Sequence, residues 1–136
     1  MTLCDTGPLV ALIDEDDPKH LTCDETLEAL GDDTLLTTWP CLTEALHLAY
    51  RVGRHPAQSR IWHYISRNLV LLHRPDPDEW RRAREPMRQY ADAPMDFADA
   101  SLVVVAERLN VRRIFTLDRH FRTYCINGRD YFDVVP

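Results

Sequence analysis

Glycine is scarce. The chain of 136 residues has four, Gly7, Gly31, Gly53 and Gly128, each isolated, so no Gly-rich loop exists to cradle the phosphates of a nucleotide cofactor. Lysine is scarcer: Lys19 stands alone and far from any candidate site, which disfavours a phosphotransfer domain that sets a lysine beside its aspartates. The four cysteines make no C-x-x-C pair and no zinc-like spacing, which predicts reduced thiols in place of a disulfide framework or zinc site. No stretch approaches the ~18 apolar residues of a membrane span, and the N-terminus reaches Asp5 without a charged leader and apolar run. The expectation is a soluble cytoplasmic protein with no membrane association. Repeats, low-complexity tracts and composition shifts are absent too, so one domain over residues 1–136 is expected, with 45% hydrophobic residues to build its core.

The net charge of -6 conceals a segregation. Residues 1–50 hold eleven acids against Lys19, whereas residues 51–90 hold nine arginines against four acids. Overall acidity argues against a nucleic-acid coat protein. A local basic surface is still open, because Arg51, Arg54, Arg60, Arg67 and Arg74 succeed one another without an intervening acid. Such a run fits an RNA-facing surface or a solvated exterior equally well.

Hydrophobic periodicity predicts alternating strands and helices. A strand over Thr2–Cys4 runs into Asp5 and an apolar helix over Leu9–Ile13. A helix over His20–Leu30 and a strand over Thr34–Thr37 follow. Pro40 is placed to open the next helix, which buries Leu42, Ala45, Leu46 and Ala49. Gly53 breaks it, and Pro56 starts another through Ile61, Trp62 and Ile65. A strand over Leu69–Leu72 precedes a helix over Asp76–Tyr90, kinked at Pro86. Strands over Arg113–Leu117 and Tyr131–Val135 complete an α/β domain with a mostly parallel sheet of four to five strands. Helical spacing assigns Trp62 and Trp80 to the core, with base stacking the less favoured role for them and Tyr64.

The stretch APMDFADASLVVVAERL, Ala93 to Leu109, places Asp96 and Asp99 on an otherwise apolar helix. They lie three apart on the first turn, where capping and the helix dipole favour negative charge. A plain capping pair explains Asp96. Asp99 lies deeper among apolar neighbours, where a carboxylate needs a partner or a cation. In a parallel sheet, ligands bind beyond the carboxyl ends of the strands. Asp5 follows the first strand, Glu44 opens the helix after the second, Asp99 opens the helix before the fourth, and Asp118 follows the fourth. Four acids thus converge on one edge. Taken singly, each has a turn or dipole role; together they call for a cation, and all-oxygen ligation favours Mg²⁺ or Mn²⁺.

Asp5-Thr6, Glu44, PMDFADASL (Pro94 to Leu102) and TLDRHF (Thr116 to Phe121), spaced over the whole chain, resemble the PIN-domain ribonucleases, in particular toxins of the VapC type. The resemblance implies a PIN-like three-layer fold and metal-dependent cleavage of RNA, with a cognate antitoxin as partner and a homodimer as assembly. It assigns Asp5, Glu44, Asp99 and Asp118 to the metal-binding and catalytic quartet, Asp96 to an accessory metal role, and Thr6 and Thr116 to orienting the carboxylates. Arg51, Arg54 and Arg60 become candidate RNA contacts. His120 stands where some members carry a further acid; it and His47 could shuttle protons, but both are expected at the surface or behind the ligands. The expected mechanism is phosphodiester hydrolysis assisted by one or two metal ions. An antitoxin segment is expected in an apolar groove between the first helices, with a basic side chain among the carboxylates. Two other classes compete: a non-catalytic interaction module of the same fold, and a Mg²⁺-dependent phosphotransfer domain. The dehalogenase D-x-D pattern is absent at Asp5-Thr6-Gly7.

Overall fold

The computed structural model describes residues 1–136. In chain order its elements are β1 (Thr2–Cys4), α1 (Thr6–Ile13), α2 (His20–Leu30), β2 (Leu35–Thr37), α3 (Trp39–Ser66), β3 (Val70–Leu72), α4 (Pro77–Gln89), α5 (Phe97–Leu109), β4 (Arg113–Phe115), β5 (Cys125–Ile126), β6 (Asp130–Tyr131) and β7 (Asp133–Val135), with a 3-10 turn over Arg119–Arg122. Five strands make one sheet in the order β3-β2-β1-β4-β7. Every neighbouring pair in it is parallel.

Two-residue alternation divides the core between the faces. Leu3, Leu36 and Ile114 point to the side covered by α4 and α5. Cys4, Leu35 and Phe115 point to the side covered by α1, α2 and α3. The result is the expected three-layer α/β arrangement. Both sheet faces are covered, which is why its strands read as short apolar runs with no polar side. Helix α5 is buried nearly all round, from Ala98 to Ala106. Leu102 is wholly inaccessible, and truncation of such a side chain costs roughly 2–5 kcal/mol.

The local signals account for most boundaries. Asp76 caps α4, accepting from the Asp78 and Glu79 amides at 2.9 and 3.2 Å, with Pro77 in the first turn. α2 ends at Gly31, whose φ of 58° puts it where a Cβ would be strained. The break expected at Gly53 is real: Gly53 and Arg54 leave helical geometry inside α3. Arg54 takes the left-handed φ of 58° there. Pro56 then re-enters the helix.

Four expectations are corrected. Helix α4 continues through Pro86 without a kink to Gln89. Pro86 lies in the last turn, where the missing N–H leaves only the Arg82 carbonyl without its helical partner. Trp62 and Trp80 are exposed, at 46% and 52%, not core. Each sits one residue, about 100° of helix, from the side chain that takes the buried position: Ile61 in α3 and Glu79 in α4. The buried stripe of α4 is Glu79, Ala83 and Pro86, and a buried carboxylate is invisible to a hydropathy pattern. The last strand divides at Phe132, and its first part pairs antiparallel with Cys125–Ile126 as a small hairpin. Asn127 and Gly128 turn that hairpin with φ of 51° and 66°, the Asn-Gly signal of a tight turn.

Candidate active site

The edge where the parallel strands end collects the acids. Asp5 leaves β1 and caps α1, accepting from the Thr6 amide at 2.7 Å. Glu44 lies in the second turn of α3, which starts directly after β2. Asp118 follows β4 and caps the 3-10 turn through the His120 amide at 2.9 Å. Asp96 and Asp99 form a reciprocal capping box on α5, with Asp99 N–H donating to Asp96 Oδ1 at 2.9 Å and Asp96 N–H to Asp99 Oδ2 at 3.2 Å. The capping account of this pair is therefore correct as geometry.

The two threonines bind these acids together. Thr6 Oγ1 donates to Glu44 Oε2 at 2.9 Å, with the Cys41 carbonyl at 3.3 Å. Thr116 Oγ1 donates to Asp5 Oδ2 at 2.6 Å and accepts from the Asp118 amide at 3.0 Å. Asp5 is thus held at both oxygens, one by α1 and one by the turn after β4. Each hydroxyl fixes a carboxylate direction, the orienting function that partners behind metal ligands perform.

Electrostatics separates these acids from the others in the molecule. Burial pushes the Asp5 carboxyl up to about 6 against the pull of Thr116 and Thr6, and the charges of Asp118 and Glu44 raise it further. Burial also raises Asp99 to about 7, with Asp96, Asp5 and Asp118 as the contributing charges. None of the five carboxylates pairs with Lys or Arg; the one imidazole in contact is His120, whose Nδ1 lies 2.7 Å from Asp118 Oδ1. Glu79 shows the contrast. It is equally buried, but the Arg108 guanidinium compensates it at 3.0 Å and His73 Nε2 hydrogen-bonds it at 2.8 Å. The site is an uncompensated concentration of negative charge.

A hard divalent cation suits this donor set, which is all oxygen and carries surplus charge. The Cys41 thiol lies against Asp5 Oδ1 at 4.0 Å. Burial and then the Asp5 charge push its pKa up to about 12, so it stays protonated and offers no thiolate. In this conformation no three acidic, histidine or cysteine side chains close on one point at ligand distance. Asp5 Oδ2, Glu44 Oε2 and Asp118 Oδ1 are each engaged by a hydroxyl or imidazole group, and Asp118 Oδ2 is free of protein donors.

Other candidates are placed differently. Arg51 and Arg54 are exposed on α3, and the Arg54 guanidinium sits 5.1 Å from the Tyr50 ring centre. Arg60 donates to the Ile13 carbonyl at 2.8 Å and so caps the end of α1 remote from Asp5. A recess of about 200 Å³ among Leu12, His20 and Tyr64 lies at that same remote end, so the space between the first helices is not where a side chain reaches the acids. The larger groove, about 630 Å³, opens between the start of α3, the start of α5 and helix α4. Trp39, Trp80 and Phe97 line it, about half exposed, and Glu44 and Asp96 stand where it meets the acids. Its lining includes no Lys or Arg. Nothing in the residue pattern marked this groove, because helical spacing assigned Trp80 to the core.

An all-parallel five-stranded sheet with helices on both faces and acids at its carboxyl edge is the arrangement expected of a PIN-like fold. No family model matches the chain. Over 135 residues it is 28% identical to ribonuclease VapC26 of Mycobacterium tuberculosis, covering 98% of this chain and 99% of that protein. The crystal structure of M. tuberculosis VapC20, a sarcin-ricin loop cleaving toxin, matches with a TM-score of 0.83 over the full length of both chains at 20% identity. The chain is thus similar over its full length to a VapC ribonuclease in sequence and to a VapC toxin in fold. No helix is long and apolar enough to cross a membrane.

Proposed function

We propose that this protein is a metal-dependent endoribonuclease, the toxin of a toxin-antitoxin pair, which hydrolyses RNA phosphodiester bonds. The observation that carries this reading is the uncompensated carboxylate edge: Asp5, Glu44, Asp99 and Asp118, with Asp96 beside them, and no Arg or Lys to balance them. Likeness to a protein named as a VapC ribonuclease supports the reaction class. Asp5, Glu44, Asp99 and Asp118 would hold Mg²⁺ or Mn²⁺, which supplies Lewis acidity toward the phosphate and toward water. Thr6 and Thr116 hold Glu44 and Asp5 in their directions. Arg51 and Arg54 remain RNA contacts in this reading; Arg60 serves α1.

The partners proposed are RNA, a cognate antitoxin and a second copy of the chain. The test is cleavage of single-stranded RNA by purified protein with Mg²⁺ or Mn²⁺. Cleavage should stop with chelator and be lost in Asp99→Asn while the fold persists. Cleavage that survives exhaustive chelation would refute metal dependence. A folded, metal-binding protein that cuts no RNA would favour the interaction-module alternative.

A further inference from the structure

One residue beyond the quartet and its two threonines is built into the site by geometry. Asp118 Oδ1 takes two donors from the same residue, the His120 amide at 2.9 Å and His120 Nδ1 at 2.7 Å. An Asx turn needs only the first of these. The second consumes the ring nitrogen that faces the site and leaves Asp118 Oδ2 free of protein donors. The imidazole is not loose: it stacks on Tyr124 with the planes at 19° and the centres 6.3 Å apart. Tyr124 is fully buried, and it packs edge-on against Phe121 at 5.2 Å. A continuous path then runs from the core to the acids: Tyr124 sets the His120 ring, His120 holds Asp118, Asp118 N–H reaches Thr116, and Thr116 holds Asp5.

The geometry points to His120 as a positioning residue that fixes the Asp118 carboxylate with Oδ1 occupied and Oδ2 presented to a divalent cation. The inference rests on the metal-dependent reading above. It requires Nδ1 to carry the hydrogen donated to Asp118. An acid's oxygen held by a second donor loses rotational freedom about its last side-chain bond, so the free oxygen stays aimed at one place without ordering by the cation. At 44% exposure the His120 side chain contributes little core area, which separates its orienting role from a structural one.

The test compares wild type, His120→Leu, His120→Asn and Asp99→Asn by Mn²⁺ calorimetry and by melting in chelator. Asparagine offers an amide N–H close to the position of Nδ1–H; leucine offers none. We expect His120→Leu to weaken Mn²⁺ binding about 10–100-fold, the usual effect of losing a partner behind a ligand. His120→Asn should recover most of the affinity. All His120 variants should melt close to wild type without metal, as exposed substitutions do. Wild-type affinity in His120→Leu, or no rescue by His120→Asn in a folded protein, would overturn the inference while leaving the metal reading intact. Mn²⁺ binding absent from wild type, or unchanged in Asp99→Asn, would instead bring down that reading and the inference with it.

Discussion

Asp99→Asn in metal-free protein tests the balance of charge in the site. Asp99 Oδ2 accepts from the Asp96 amide, and asparagine keeps an acceptor oxygen there, so the capping box survives in outline. What changes is the charge. An unfolded Asp99 titrates near 3.8 and the folded one near 7. At ~1.4 kcal/mol per pH unit the ionised carboxylate would cost the fold ~4 kcal/mol. Water reaches part of this side chain, and we halve the figure to about 2 kcal/mol. The charge also interacts favourably with the N-terminal dipole of α5, roughly 0.5–1 kcal/mol, which asparagine gives up. The net gain from the substitution is then about 1 kcal/mol, or roughly 2–4 °C in Tm for a domain of this size.

The pH dependence gives this effect its signature. Well below pH 3.8 Asp99 is protonated in both states and wild type carries no penalty. Between the two pKa values the folded state retains the proton that the unfolded state has released, so wild-type stability falls as pH rises, and above about 7 the full penalty applies. Asp5 acts in the same direction up to about 6 in both proteins. Melting in chelator from pH 4 to 8 should show Asp99→Asn no better than wild type at the acid end and increasingly better toward pH 8. Mn²⁺ should then raise the wild-type Tm and leave the variant's unmoved. A variant that melts clearly lower at pH 8, or a difference that does not change with pH, would mean that Asp99 serves as a cap and nothing else.

The arginines and the groove give further tests. Changing Arg51 and Arg54 together to Ala should weaken RNA binding and lower the slope of log affinity against log salt by about 2; an unchanged slope would show that they face solvent. Arg60→Ala should leave that slope alone and lower stability instead, by about 1 kcal/mol for the lost hydrogen bond to Ile13, and a melting temperature equal to wild type would refute this. An antitoxin segment with a basic side chain should occupy the Trp39, Trp80 and Phe97 groove and inhibit less at high Mn²⁺ than at low. Inhibition that ignores Mn²⁺ and survives Arg or Lys→Ala changes in that segment would place it elsewhere, and dissociation of the protein alone by Trp80→Glu would assign the groove to a second copy.

Most of the scaffold could be read from residue patterns because its elements obey local rules strongly. Asp5, Asp76 and Asp96 sit where a capping residue must, Gly53 marks the break in α3, and the all-round apolar run after Phe97 admits only a buried helix. The placement of four acids at one edge also followed, since a parallel sheet fixes where strand ends lie. The misreadings share another cause. Glu79 takes a core position because Arg108, 29 residues after it, pairs with it and His73, six before, hydrogen-bonds it, while Trp80, the next residue, faces the surface. Arg60 reads as one of a basic run until Ile13, 47 positions away, claims its guanidinium. The Asp118 and His120 pair was only two residues apart, but nothing in the residue string says that Tyr124 holds the ring. Hydropathy and spacing report local geometry, whereas the fate of a charge depends on partners brought together by the fold.

That distinction also reconciles the two accounts of Asp99. A cap and a metal ligand are not alternatives at this position, because they use different properties of the same carboxylate. The cap needs one oxygen near the Asp96 amide, and the helix N-terminus favours the negative charge by less than burial and the surrounding acids oppose it. Had stability alone been served, a neutral asparagine at N3 would accept from the Asp96 amide as well without the repulsion from Asp96, Asp5 and Asp118. Glu79 shows that this fold can neutralise a buried carboxylate when it brings partners to one, and the edge acids are left without them. The cap therefore works for the site: it fixes one oxygen and the direction of the side chain, while the unbalanced charge keeps the carboxylate in need of a cation from outside the chain. A basic side chain from a protein partner would meet the same need, so partner and metal should exclude one another at this edge.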